Sequence, residues 1–215
     1  FRSLFFMRKH IRRQIIIKRG FPKEWETILK EKVKYFHTLK DKEEQARFKN
    51  EIAIFLNEVT ITGIETPVDD TCRLLVAASA IIPVFQFPQW DYDNLVEVLI
   101  YPQNFDADYN FAQKGKNTGA NILGMVHTNS ATMILSKPAL LHGFKIDMDN
   151  ENVAIHEFAH KIDGQDGYID GIPQLLSDKK TAAAWKRIIE KESEEIRSGR
   201  SDINPYALTN SGEFF

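Results

Sequence analysis

A single cysteine, Cys72, stands in 215 residues. It can form no internal disulfide, so a reducing compartment, the cytoplasm, is the expected setting. Apolar runs are short: the longest, Leu74 to Phe85, holds 12 residues interrupted by Ser79 and Pro83, too few to span a bilayer. Glycine (11) and proline (8) are sparse, and no linker rich in them, internal repeat or low-complexity tract is present, which excludes collagen-like and wholly disordered chains. Net charge is nearly absent as well. The balance of 28 bases and 30 acids, −2 overall, gives no general field for nucleic acid, and no direct nucleic-acid binding is expected. What is there is the mix of an ordinary globular domain, 43% hydrophobic and 27% charged.

The charge is unevenly spread. Residues 1–20 hold seven bases (Arg2, Arg8, Lys9, Arg12, Arg13, Lys18, Arg19) and no acid, which leaves 21 bases against 30 acids in the rest. We treat 1–20 as a separate basic N-terminal segment. It suits either a basic amphipathic helix lying on the protein's own acidic surface or the cytoplasmic flank of a membrane segment, with membrane association and a catalytic domain facing the cytoplasm. The chain opens on Phe1 instead of Met, the expected mark of a processed or trimmed product.

Helical spacing runs from Pro22 to Leu39 through Trp25, Ile28, Leu29, Val33 and Phe36. Asp41 with Glu44 opens a second helix, striped by Phe48, Ile52, Phe55, Leu56 and Val59. Gly63 to Asp70 is expected to turn, and Asp69 or Asp70 to cap an almost wholly apolar helix through Ile82, ended by Pro83. Cys72 falls inside it, as a core thiol. Beyond this point strands are expected at Leu95–Tyr101, Leu123–His127 and Thr132–Leu135, with a polar loop over Asn104–Asn121 and a turn at Thr128–Ser130. Two strong helices follow, Asn150 to Ile162 and Ser177 to Arg197, the second stopped by Gly199. A last helix opens near Asn210 and runs out at once, so the native chain is expected to continue past Phe215. Residues 21–215 thus form one α+β domain, with a helical N-terminal part and a small mixed sheet beside the helix that follows.

That helix carries the chemistry: Asn152-Val-Ala-Ile-His156-Glu157-Phe-Ala-His160-Lys-Ile-Asp163. Residues four apart share a helix face, so His156 and His160 can aim both imidazoles at one zinc ion. Glu157, one step around, is free to take the proton of an attacking water. Val153, Ile155, Phe158, Ala159 and Ile162 give the other faces the apolar character of a core-crossing helix. A catalytic zinc needs a third protein ligand, and the residues leave several open. Asp166 stands where a longer motif puts its third ligand, but the glycine that motif requires is here Asp163. Glu190, Glu192, Glu194 and Glu195 lie on a mixed-charge helix face, and Glu213 opens the last helix. Gly115 to Gly119 lacks the spacing of a nucleotide loop, and His10, His37, His127 and His142 show no ligand spacing.

The run His-Glu-Phe-Ala-His-Lys-Ile-Asp-Gly, with Asp170-Gly-Ile-Pro173 and Tyr206-Ala through Glu213-Phe, resembles the Mlc titration factor A family. The likeness extends upstream through Arg73-Leu-Leu-Val-Ala-Ala-Ser-Ala-Ile-Ile-Pro83, Glu97-Val-Leu-Ile-Tyr-Pro102 and Met133-Ile-Leu-Ser136, and covers residues 40–215. It implies a zincin-like metallopeptidase domain related to the catalytic domain of anthrax lethal factor. It also implies His156, His160 and Glu213 as zinc ligands and Glu157 as general base. Tyr206 would donate to the oxyanion, and Asp163 would steady an imidazole tautomer from behind the ligands.

The expected function is hydrolysis of peptide bonds in a peptide or protein substrate, aminopeptidase-like by resemblance. The alternative is a protein-binding regulator that sequesters a transcriptional repressor, its metal site structural or weakly active. Strand Thr132–Leu135 is expected at the sheet edge, where extended substrate can add as a further strand.

Overall fold

The computed structural model describes residues 2–87, 90–110, 121–126, 130–145, 152–176 and 178–214. The expected turn at Thr128–Ser130, most of the loop ending at Asn121, and the expected helix starts at Asn150 and Ser177 lie largely outside them.

Helix α1 (Arg2–Arg19) is followed by α2 (Lys23–Lys32) and α3 (Lys34–Thr38). The single helix expected from Pro22 to Leu39 is therefore two. Val33 adopts an extended conformation (φ −110°, ψ 94°) between them, yet the apolar spacing carries through because Leu29, Val33, Phe36 and Leu39 all enter one core. Helix α4 (Lys42–Glu58) is capped by the Asp41 carboxylate, which accepts from the Glu43 N–H. Asp69 does the same for α5 (Asp70–Ile81) through the Cys72 N–H. From Cys72 to Ile81 every α5 side chain except Arg73 is buried, as an all-apolar helix requires. Cys72 is a core thiol there, its pKa pushed up to about 11 mainly by burial.

The sheet has four strands, β1 (Thr60–Gly63), β2 (Glu97–Tyr101), β3 (Gly124–Val126) and β4 (Thr132–Ser136), in the order β1-β2-β4-β3. β1, β2 and β4 run parallel and β3 antiparallel, with Val98 opposite both Ile61 and Met133. Two expectations are corrected. β1 was not expected: it lies between the second helix and the turn expected from Gly63, and its four residues show their strand character only beside β2. β4, expected at the edge, is paired on both sides: β3 folds back on it antiparallel and takes the outer position. Helix α6 (Lys137–Gly143) was also not foreseen. Ser136 caps it and Pro138 sits in its first turn.

Helices α7 (Val153–Asp163), α8 (Lys179–Arg197) and the short α9 (Ser211–Phe214) complete the chain. α7 starts at the Asn152 cap, whose side chain accepts from the Ile155 N–H and donates to the Gly143 carbonyl, binding α7 to α6. Its inner face, Ala154, Phe158 and Ile162, is buried. The Phe158 ring lies edge-on to Phe55 and Tyr92, at 5.8 and 5.4 Å between centroids.

Candidate metal centre

A helix held by Phe158 at its back must present His156 and His160 on the opposite side, half a turn away. Their Nε2 atoms stand 2.9 Å apart. Glu213, brought in by α9 from 53 positions downstream, places Oε2 at 3.0 Å from His156 Nε2 and 3.6 Å from His160 Nε2. These three residues form the metal-capable group among the described residues. Sequence spacing alone left the third position open; the fold brings the Glu213 carboxylate to the two histidines. Three of the alternatives are engaged elsewhere: Asp166 accepts from the Tyr168 N–H in a turn, Glu195 pairs with Arg200, and Glu192 accepts from the Ser201 hydroxyl.

The donor set fits a divalent cation such as zinc. Bonds of about 2.0–2.2 Å in a tetrahedron put ligand atoms roughly 3.3–3.6 Å apart; the 3.6 Å separation falls in that range, and those of 2.9 and 3.0 Å lie below it, within a side-chain adjustment of a few tenths of an ångström. Glu213 Oε2 is moreover buried without a hydrogen-bond partner. Three lone-pair-bearing atoms facing one another, one of them unsatisfied, form an arrangement that a cation stabilises and that water-excluded packing alone does not. Burial, and next the neighbouring His156, lower the pKa of His160 and favour the neutral imidazole that a metal requires.

Glu157 points along a different line, toward β3. It is buried, its carboxylate accepts from the Val126 N–H, and burial followed by the charge of Glu213 raises its pKa to about 7 against that hydrogen bond. Gly124, one strand position from Met125, lies against the same side chain: a methyl there would sit 2.7 Å from Glu157 Cγ. One turn on, Lys161 donates from Nζ to the Ser130 carbonyl at 2.6 Å and holds the β3–β4 connection to α7. Neither Gly124 nor Val126 carries a functional side chain, so residue-type reasoning had no means of finding them.

Tyr206, in the 3₁₀ turn Pro205–Leu208, stands with its ring 6.4 Å from that of His156, and its hydroxyl donates to Glu213. The Glu213 charge, then burial, raise its pKa. Asp163 is fully buried: Oδ2 accepts from the Gly171 N–H at 2.7 Å, while Oδ1 and His160 Nδ1 are each buried without a hydrogen-bond partner, so the carboxylate makes no hydrogen bond to that imidazole. Gly171 in turn accepts at its carbonyl from Trp185 Nε1 at 2.7 Å and touches the Ser211 carbonyl so closely that a Cβ would collide with it. Its φ of +80° also requires glycine. Asp163 is thus connected to the segment that carries Glu213.

A helix bearing His-Glu-x-x-His, a mixed sheet beside it and a carboxylate from a later helix define a zincin-like α+β metallopeptidase domain. The profile of the glucose-regulated metallo-peptidase M90 family matches residues 7–215, and the chain belongs to that family. It is 26% identical over 213 residues to the uncharacterized protein slr2042 of Synechocystis sp. (strain PCC 6803), covering 95% of this chain and 77% of that one. It is 27% identical over 192 residues to Mlc titration factor A of Klebsiella pneumoniae (strain 342), over 80% of this chain and 68% of the relative. The same protein of Escherichia coli (strain 55989) is 27% identical over 173 residues, 73% of this chain and 61% of its own length.

Proposed function

We propose that the chain is a zinc-dependent peptidase. The observation that carries this reading is the convergence of His156, His160 and Glu213 beside Glu157, whose pKa lies near 7. A bound zinc ion would supply Lewis acidity, polarising the scissile carbonyl and making water more acidic. The protein's own groups do the rest. Glu157 populates both protonation states near neutrality, as a group must that takes a proton from the attacking water and returns it to the leaving amine. Tyr206, releasing Glu213, donates to the oxyanion. β3, at the sheet edge beside Glu157, presents backbone groups against which an extended substrate can lie. In this reading the zinc is held by His156, His160 and Glu213, and the protein works in the cytoplasm on short peptides, trimming from an end.

The test pairs zinc content with peptide hydrolysis in the wild type and Glu157→Gln. Zinc near one per chain in both, with hydrolysis lowered about 10²–10⁴-fold in the variant, is the expected result. Equal turnover by the variant sinks the catalytic assignment. A second reading, that the chain binds a transcriptional repressor, is favoured by the name Mlc titration factor A borne by several relatives. Glu157→Gln leaves such binding intact, so a pull-down of the repressor with both proteins separates the two roles.

A further inference from the structure

Helix α1 is turned the opposite way from an ordinary surface helix. Its basic residues Lys9 and Arg13 point into the protein, where Lys9 pairs with Asp91 at 2.9 Å and Asp93 at 3.2 Å, and Arg13 makes a two-pronged contact with Glu58 at 2.8 and 2.6 Å while also reaching Asp91. Ile16 is buried beside them. On the outer side Met7, Ile11 and Ile15, each four residues from the next, form a row that is 54, 51 and 48% exposed. Arg8, Arg12 and Arg19 border that row and line a shallow groove with Ile11 and Ile15. Lys18 stands exposed on the same outer face, and among the described residues Arg8, Lys18 and Arg19 enter no ion pair. Isolated exposed aliphatics are commonplace, but a contiguous row framed by bases, on a helix without an acid, is an amphipathic surface built to meet something.

We propose that the outer face of α1 docks on an anionic lipid surface, Met7, Ile11 and Ile15 entering the headgroup boundary while the arginines and Lys18 meet lipid phosphates. Charge complementarity selects this occupant. The helix lacks the acidic residues that would set the register of a basic or mixed-charge protein helix, and the remaining chain is acidic, so an anionic surface repels every approach but the one through α1. Among the described residues no helix is long and apolar enough to cross a membrane, so the contact is peripheral. At 18 residues, or roughly 27 Å, α1 can lie flat. The inward ion pairs fix its rotation, so the apolar row faces outward before any lipid arrives. This inference does not depend on the reading of the metal centre.

Co-sedimentation of the whole chain tests it, with vesicles of phosphatidylcholine containing a third phosphatidylglycerol against vesicles of pure phosphatidylcholine. Binding is expected to the anionic vesicles, to weaken with added salt, and to be at least ten-fold poorer on the neutral ones. Ile11→Asp should abolish it, and Arg8→Gln with Arg19→Gln should lower the partition coefficient about 25-fold, five-fold per base. Unchanged helical circular dichroism shows that the variants fold, and unchanged metal content shows that the effect is confined to α1. No binding by the wild type, or equal binding by Ile11→Asp, overturns the proposal. So does a wild-type dimer in solution that Ile11→Asp converts to monomer, since the face would then be covered by a second copy.

Discussion

Gly124 and Glu157 approach so closely that a single methyl group on the glycine would lie 2.7 Å from Glu157 Cγ and 3.1 Å from its Cδ. The edge strand and α7 therefore meet at this side chain, and the absence of a side chain at Gly124 is what lets Glu157 reach the Val126 N–H. Gly124 has no left-handed backbone to preserve, so alanine there acts through volume alone. Gly124→Ala should keep zinc and the fold but lower peptide hydrolysis at least ten-fold, mainly in kcat, by displacing the proton acceptor. Paired zinc analysis and steady-state kinetics check it; wild-type kcat would show that the carboxylate has room to spare.

Glu213→Ala should remove one ligand and leave two imidazoles. Zinc per chain is expected to fall from near one to well below half after dialysis, with little loss of stability in the metal-free protein, because α9 is short and peripheral to the main core. Elemental analysis beside thermal melts of the metal-free forms distinguishes a lost ligand from a lost fold.

Asp163→Ala removes the acceptor that holds the Gly171 N–H in the interior. An unsatisfied buried donor costs about 1–3 kcal/mol. Because Gly171 abuts Ser211, two residues from Glu213, the loosened loop should also weaken zinc affinity about 10–100-fold. A competition titration against a zinc chelator, with a urea melt of the metal-free protein, reads both effects. A stability loss with unaltered affinity would confine Asp163 to the fold.

Glu51 is partly buried under α1, among Arg13, Arg47, Asp91 and Glu58, and burial raises its pKa above the ordinary 4.5. Between that ordinary value and the raised one the folded chain holds a proton that the unfolded chain has released, so this group lowers stability as pH rises through the window. Glu51→Gln should therefore raise Tm at about pH 7, and the gain should vanish at about pH 4, where both states of the wild type are protonated. Thermal melts across that range decide it; a gain independent of pH would point to packing instead of charge.

Much of this was legible in residue order. The Asp41 cap, a cap at Asp69 or Asp70, of which the structure uses Asp69, and the α7 motif depend on contacts within a few residues, and the burial of α5 on its apolar composition, so each shows in residue order. What was not legible required a distant partner. β1 becomes a strand only against β2, some 37 positions later; the break at Val33 leaves the apolar spacing intact, because both helices feed the same core; and the edge position passed from β4 to β3 because the latter folds back on it.

The sequence by itself determined that one helix would carry two imidazoles and a carboxylate in fixed relation, since 3.6 residues per turn leaves no other arrangement for His156, Glu157 and His160. It also determined that the first twenty residues would be basic and amphipathic. Only the tertiary structure decided which carboxylate joins the histidines, which strand stands beside Glu157, and which face of α1 looks outward. Each of these is a meeting of segments far apart in the chain, and burial of the shared core, not local spacing, sets where such segments meet.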